Sequence, residues 1–499
     1  MVKFLREHWL FLIILAIGVF LRSYKAIDWF MYTHDQDLAG WMIKDILLNK
    51  HLRLIGQETS SHGIFIGPVF YYLLIPFYLL TKMDPAGSLI LPILISVFTI
   101  SSFYWVFSKV FNKEVGILAA LFYSFSYFIV FIDREIVPTT PVMLWTVWFF
   151  YGLNLILKGN KYAYPLLGFL VGLIWSFNLA LLILSPLILI AKILFYLRRQ
   201  ALAKINIKYV GISFFIFIIT LSPFLAFEAR HDFQQTKAVV SSLTSQKDYV
   251  PGTSTGLAKV DRVLQLVHRN TTNLYWDSVI NVPSFATFNL LLVFFFFLVL
   301  TKKISKSWGV LMFSWQALYI LFFSFNSLNP SEYYINGMNV VWIGILAITT
   351  SMFLEKHVLV FVGPVILGVF VFLNIWGFFH RPINLSGYNE RKAITKFIFD
   401  DSKRMGYPCV SVSYITSPGY DLGYRYFFFL EGLHVNQPKS ESPVYTIVFP
   451  LSKVDRVDKT FGVIGLILPD YARYTKEAVK ESCSGENANL TDPMFGYTE

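Results

Sequence analysis

Residues 128–150 read FIVFIDREIVPTTPVMLWTVWFF. Two apolar runs, 115–132 and 138–157, meet here across the five residues 133–137, and the charges of Asp133, Arg134 and Glu135 are confined to that junction. A helix needs about 20 apolar residues to cross the ~30 Å hydrocarbon core of a bilayer. The pattern therefore predicts two membrane helices joined by a short polar turn at one face of the membrane.

Working outward, similar runs recur at about 8–22, 86–107, 162–177, 179–197, 208–227, 284–301, 307–325, 335–354 and 357–379. Nearly all lack ionisable side chains, with Lys192 near one end as the exception. The 499-residue chain is 55% hydrophobic and 18% aromatic, with 15% charged residues and a mean hydropathy of +0.56. Soluble domains carry about 25% charged residues, and their surfaces need polar cover that this chain lacks. A soluble enzyme is excluded. The absence of charge within the runs also argues against an ion-coupled transporter, whose spans carry such groups.

Basic residues set the orientation. Lys3 and Arg6 precede the first run, and short loops carry Lys109 and Lys113, Lys158 and Lys161, Arg198 to Lys208, and Lys302 to Lys306. The positive-inside rule puts all of them in the cytoplasm. The run 64–80, with Pro68 and Pro76, then has no crossing to make and is expected to dip into or lie along the outer leaflet. About eleven crossings result, with the N-terminus inside and the C-terminus outside; a twelfth crossing by 64–80 is the alternative. The net charge of +11 comes largely from cytoplasmic loops facing anionic headgroups, and nothing in it points to nucleic acid.

The outer segments are 23–63, the 133–137 turn, 228–283 and everything after about 380. Asp37 to Leu48 is spaced as an amphipathic, surface-lying helix. Loop 228–283 holds a Pro-Gly-Ser-Thr stretch at 251–256 and then a helix from Leu257 to Tyr275. The tail predicts helix at 389–404 and 420–432, and strand at Cys409–Ile415, Val444–Phe449 and Val463–Leu468. That makes a transmembrane module, 1–380, and a small α/β domain, 381–499. Cys409 and Cys483 both lie in this domain, where the compartment allows a disulfide; pairing and two free thiols are both compatible with the sequence. The first run reads as an anchor with no cleavage site.

The sharpest polar cluster is Thr33-His34-Asp35-Gln36-Asp37, about ten residues past the first run. Two carboxylates two positions apart beside a bilayer suit a general base, a metal site or both; the competing reading is a helix cap at Asp35 or Asp37.

The stretch 34–78, HDQDLAGWMIKDILLNKHLRLIGQETSSHGIFIGPVFYYLLIPFY, resembles the first outer loop of glycosyltransferases related to protein O-mannosyltransferases and aminoarabinose transferases, the GT-C superfamily. The shared features are an acidic pair, a polar patch and Gly67-Pro68 before a Tyr-rich apolar helix. FIVFIDREIVPTTPVMLWTVWFF looks like that family's second outer loop, and SPFLAFEARHDF at 222–233 resembles its exit before the large loop. The resemblance covers roughly 1–380. Where protein O-mannosyltransferases carry Asp-Glu, this chain has Asp35-Gln36 followed by Asp37, so the base is one of two aspartates, with Asp35 favoured. The implied fold is a mostly α, polytopic membrane protein of GT-C type, with a re-entrant or juxtamembrane helix and a small extracytoplasmic α/β domain.

The implied reaction is inverting transfer of a hexosyl or pentosyl group from a polyprenyl-phosphate donor to an acceptor hydroxyl of a lipid, glycan or protein at the outer face of the plasma membrane. Asp35 would be the base, with Asp37 beside it. The lipid phosphate needs cationic partners: Arg134 first, then Arg230, His231, Arg53 and His62. Arg134 as an interfacial anchor and the histidines as ordinary polar surface are the bland alternatives. Glu332 is a candidate for sugar hydroxyls or, with Asp35 and Asp37, for Mg²⁺ or Mn²⁺; simple solvation is its alternative. Trp29, Tyr32 and Trp276 can stack on sugars, though an interfacial aromatic belt accounts for them. No phosphate-binding glycine loop is present. The rival from another class is a transporter or flippase of lipid-linked glycans, against which stands the absence of visible inverted repeats.

Overall fold

The computed structural model describes residues 2–59, 61, 63–199, 206–244, 256–276, 282–326, 330–355 and 361–490. The apolar runs become α1 (Val2–Ser23), α3 (Val69–Leu80), α4 (Ile90–Val110), α5 (Lys113–Phe125), α6 (Tyr127–Ile132), α7 (Val142–Leu157), α8 (Ala163–Phe177), α9 (Pro186–Arg199), α10 (Ile207–Arg230), α13 (Ser284–Leu300), α14 (Lys306–Phe325), α15 (Asn339–Glu355) and α16 (Val362–His380). Between them lie α2 (His34–Leu48), α11 (Gln234–Thr244) and α12 (Leu257–Asn273). The 251–255 part of the Pro-Gly-Ser-Thr stretch lies outside the described residues.

Among the described residues six helical segments have the length and apolarity of a membrane crossing, whereas α7, α8 and α13 are apolar but only 16, 15 and 17 residues long. Eleven full-length crossings are thus not reproduced by helix length. Local capping is the reason. The run 115–132 is cut in two, because Ser126 ends α5 and its hydroxyl accepts from the Ile129 N–H to start α6. The run from 138 becomes helical only at Val142, since the Thr140 hydroxyl donates to the carbonyls of Glu135 (2.6 Å) and Val137 (2.8 Å) and holds a turn there. Asn178 caps a 3₁₀ turn, Leu179–Leu184, ahead of α9.

The 12 residues of α3 span about 18 Å at 1.5 Å per residue, too short to cross and in keeping with a re-entrant or juxtamembrane helix. α15 is buried along nearly its whole length, from Asn339 to Met352, at the centre of the bundle. By contrast Phe214, Phe215 and Ile219 of α10 are largely exposed. Apolar side chains so displayed need lipid as solvent. The chain is a multi-pass membrane protein.

The tail folds as expected over α17 (Tyr388–Met405), β1 (Val410–Thr416), β3 (Val444–Phe449) and β5 (Ile464–Ile467). The short strands β2 (Val435–Asn436) and β4 (Lys459–Phe461), and the helix α19 (Lys476–Ser482), were not legible. The sheet order is β2-β1-β3-β5-β4, with β1 parallel to β2 and β3, and β5 antiparallel to β3 and β4. The helix expected at 420–432 shrinks to α18 (Arg425–Leu430). Gly419 and Gly423 sit at φ +86° and +88°, and left-handed backbone stops a right-handed helix from forming earlier. Ile394 and Ile398 of α17 pack on Val410, Val412, Ile447 and Leu466. Cys409 and Cys483 are joined, with their Cα atoms 5.6 Å apart.

This domain is seated on α2. A Cβ at Gly40 would come within 2.8 Å of the Tyr426 ring, so glycine is what lets α18 lie against α2, where Trp41 meets the rings of Tyr426 and Phe429.

Candidate active site

The start of α2 is fixed by neither aspartate. The cap is Thr33, whose backbone N–H (2.8 Å) and hydroxyl (2.9 Å) both donate to Gln36 Oε1. This corrects the reading of Asp35 or Asp37 as the cap, and the helix starts three residues earlier than expected. Both carboxylates are thereby released for other partners, and one helical turn sends them to different places.

Asp37 is buried. Its Oδ1 accepts from the Tyr426 N–H (3.1 Å) and the Tyr32 hydroxyl (3.3 Å). Burial pushes its carboxyl up to about 7 against the pull of those bonds. Asp37 therefore ties α2 to the C-terminal domain. Tyr32, fully buried beside it, has no face for a sugar.

Asp35 is half-buried and points the other way. Gln57 Nε2 approaches its Oδ1 at 3.5 Å, and the Tyr71 hydroxyl donates to Gln57 Oε1 at 2.9 Å. Tyr71 fits because residue 56 is glycine: a Cβ there would sit 2.4 Å from the ring. Burial raises the Asp35 carboxyl above its ordinary range, offset in part by His34 and by Gln57.

The turn between α6 and α7 completes the site. Gln36 Nε2 donates to the Ile136 carbonyl at 3.3 Å, which places the preceding residue, Glu135, beside Asp35. Glu135 is reached by solvent yet enclosed by protein, the description of a group in a recess. Burial, then the Asp35 charge, push its carboxyl up to about 7, while Arg381 pulls it down. Two carboxylates that resist ionising together are a familiar source of a shared proton. Arg381, just past α16, is exposed, with its guanidinium 3.7 Å from the Phe131 ring centre and Nη1 3.5 Å from the Tyr127 hydroxyl.

Under this loop Arg22 Nε (2.8 Å) and Nη2 (2.6 Å) both bind Asp133 Oδ2, to which the Tyr123 hydroxyl also donates (2.7 Å). Arg134 is buried in an aromatic cage, its guanidinium 4.9 Å from Phe131, 5.0 Å from Trp29 and 5.4 Å from Phe378. Its Nη2 donates to the carbonyls of Leu21 and Tyr24, while Nε and Nη1 have no partner among the described residues. Burial, then the charges of Arg22 and Arg381, lower its pKa to about 9.

The remaining expected residues lie elsewhere. Arg53 Nη1 is 2.9 Å from Asp45 Oδ2 and its side chain is buried, so it staples the first loop to α2 and does not reach for a ligand. Arg230 is exposed at the end of α10. His231 stacks on Phe227 at 4.0 Å and bonds that residue's carbonyl. The structure pairs neither with Asp35 or Glu135 among the described residues. Glu332 is exposed and ion-paired with Arg269 at 3.3 Å, and His62 lies outside the described residues. Trp29 and Trp276 are held by hydrogen bonds to the Pro382 carbonyl (3.1 Å) and the Thr287 hydroxyl (3.0 Å). No three His, Cys, Asp or Glu side chains stand together as a metal cage among the described residues. The set Asp35, Asp37 and Glu332 does not fit a metal ion, because Asp37 faces the C-terminal domain and Glu332 faces Arg269. Sequence reasoning missed Glu135, Gln57, Tyr71 and Arg381. The run Asp133-Arg134-Glu135 carries a signal for Glu135, a second carboxylate in a five-residue turn between two apolar runs.

No protein-family model and no curated relative matches the sequence. Among solved structures, the crystal structure of ArnT from Cupriavidus metallidurans bound to undecaprenyl phosphate superposes with TM-score 0.59 at 11% identity, covering 93% of this chain and 98% of that one. The fold is ArnT-like. The apo state of ArnT gives TM-score 0.58 at 10% identity, covering 94% and 99%. The Archaeoglobus fulgidus oligosaccharyltransferase, solved with Zn and sulfate, gives 0.49 at 12% identity, covering 88% of this chain and 67% of that one. The likeness covers 93% of the chain, so it takes in the C-terminal sheet as well as the helices.

Proposed function

We propose that the chain is a glycosyltransferase that moves a sugar from a polyprenyl-phosphate donor to an acceptor hydroxyl at the outer membrane face, with inversion. The observation that carries this reading is the recess shared by Asp35 and Glu135, with Arg381 beside it. The ArnT-like fold adds weight, ArnT itself having been crystallised with undecaprenyl phosphate.

In the proposed reaction the acceptor oxygen attacks the anomeric carbon from the face opposite the phosphate. Asp35 takes the hydroxyl proton, the new C–O bond forms, and the bond to the phosphate oxygen breaks. The bonding pair leaves on the polyprenyl phosphate. Its developing charge meets Arg381, with Arg134 behind it. A carboxylate whose pKa is raised is a better base near neutral pH, and burial is what raises Asp35. Gln57, held by Tyr71, orients the Asp35 carboxylate. Arg53, Glu332 and the Arg230–His231 pair take no part in this scheme.

The orientation, with the N-terminus cytoplasmic and the 381–499 domain outside, is part of the same proposal. The Cys409–Cys483 bridge supports it, since disulfides persist in oxidising compartments. A separate core in the 381–499 segment supports reading it as a domain distinct from 1–380. The test is incubation of membranes with a panel of labelled polyprenyl-phosphate sugars. Label must pass to a lipid, glycan or protein pool in the wild type and fail to pass in Asp35→Asn; no transfer from any donor would overturn the reading.

A further inference from the structure

The opposite end of the bundle holds a second site. Residues at the end of α4, the start of α5, the turn between α13 and α14, and the end of α15 enclose a cavity of about 340 Å³. The 21 residues of α4 put about 30 Å, at 1.5 Å per residue, between this cavity and the end near α3.

Its floor and its mouth differ in chemistry. Val115, Trp308, Ile348 and Met352 line it and are buried, whereas Lys302 and Lys303 line it and are exposed. The turn is held in place by Lys302, whose φ is +59°, and by the Ile304 N–H donating to the Leu298 carbonyl at 3.1 Å. Lys303 Nζ pairs with Glu355 at 2.6 Å, so the acidic side chain among the described lining residues is neutralised. Lys302 has no ion-pair partner among the described residues. Asn112 and Ser305, which cap α5 and α14, also line the cavity. The positive end of α14 thus adds to the lysine charge, while Glu114 in the first turn of α5 offsets that of the shorter helix.

An apolar floor under a cationic mouth suits an amphiphile with an anionic head. Leu300 and Val310, on the helices flanking the turn, expose apolar surface next to it. We propose that this cavity binds the phosphate headgroup of an anionic membrane phospholipid, with its acyl chains along the exposed sides of α13 and α14. The site lies apart from the Asp35 recess and stands whether or not the chain transfers sugar.

The test is native mass spectrometry of the purified full chain in micelles doped with phosphatidylglycerol or phosphatidylcholine. Wild type retains one phosphatidylglycerol with about fivefold or greater preference, the order expected for a lysine at a membrane surface. The double variant Lys302→Gln/Lys303→Gln loses that preference. So does Val115→Trp, which fills the floor and leaves the lysines in place. Lys306→Gln, which removes one lysine charge just outside the cavity, keeps it. Equal retention by wild type and the double variant would overturn the proposal, as would an equal loss in Lys306→Gln, which signals diffuse attraction. Displacement of the lipid by millimolar inorganic phosphate would also overturn it, assigning the pocket to a soluble anion.

Discussion

Asp37 Oδ1 lies 3.1 Å from the backbone nitrogen of Tyr426, a contact across 389 positions of sequence. It is the point where α2 and the C-terminal domain meet, two residues from the proposed base. The domain therefore bears on the geometry of the recess through one helical turn.

That contact makes stability depend on pH. Burial raises the Asp37 carboxyl from its ordinary 3.8 to about 7 in the folded state. The folded protein then holds a proton that the unfolded chain has released between those values, so stability falls as pH rises through about 7. Thermal unfolding in detergent is expected at a lower temperature at pH 8 than at pH 5.5. Asp37→Asn keeps an acceptor for the Tyr426 N–H and removes the titration, so its profile flattens. An unchanged slope in Asp37→Asn would assign the pH dependence to another group.

Breaking the Arg22–Asp133 pair should cost far more than losing a surface ion pair. Both side chains are buried, at 1% and 4% exposure, and removing one partner of such a pair costs about 3–5 kcal/mol because the other charge is stranded. Arg22→Met is expected to lower the unfolding temperature and the yield of folded protein. Arg22→Met/Asp133→Leu, which removes both charges, recovers most of the loss. Equal damage in single and double variants would mean that packing, not the stranded charge, dominates.

Arg134 and Arg381 separate folding from binding. Arg134 spans two carbonyls of the α1 end and three rings, so neither Ala nor Lys can replace it. Both substitutions should reduce activity together with thermal stability. Arg381 is exposed, so Arg381→Ala should leave stability near wild type. Losing a charged hydrogen bond of about 1.5–3 kcal/mol should still lower donor use about 10- to 100-fold. Steady-state kinetics against donor concentration, run beside melting curves, resolves the two.

Glu135→Gln tests the tuning of the base. The charge of Asp35 adds to burial in holding the Glu135 carboxyl at about 7, whereas the Asp35 carboxyl is raised by its own burial. Replacing Glu135 by the neutral Gln should therefore leave the acid limb of the pH–activity profile in place. A limb that moves to lower pH would show that Glu135 also raises Asp35.

The membrane class and the order of helices were legible because burial in lipid forces long charge-free runs, as at 335–354 and 357–379. The α17–β1–β3 core of the tail was legible from its periodicity. Helix ends were not: Ser126, Thr140 and Asn178 act through single side-chain bonds that hydropathy does not register. Of the site, Asp35 stood out through the resemblance that the stretch 34–78 carries, since a pair of aspartates two positions apart is by itself short and common. Glu135 did not, since its meeting with Asp35 depends on one bond from Gln36 to Ile136 across 100 residues. Arg53 misled for the converse reason. Its charge was visible in the sequence, while its partner Asp45 was hidden in the middle of an amphipathic pattern.

The decisive experiment compares Asp35→Asn with Asp37→Asn. Each keeps size and hydrogen bonding and removes the ability to accept a proton. Asp35 faces the recess and is anchored only by a long contact to Gln57, so its substitution should leave expression and melting unchanged. A general base contributes about a hundred- to ten-thousand-fold, and transfer should fall by that order. Asp37 is turned into the interface with Tyr426 and Tyr32. Its Asn variant should retain most of its transfer activity at neutral pH, with the flattened pH response of stability described above. Near-wild-type transfer by Asp35→Asn would remove it from the mechanism. If Asp37→Asn were then inactive but normally folded, proton abstraction would have to occur at the domain interface. That would require Tyr426 to move away from α2 when the acceptor binds.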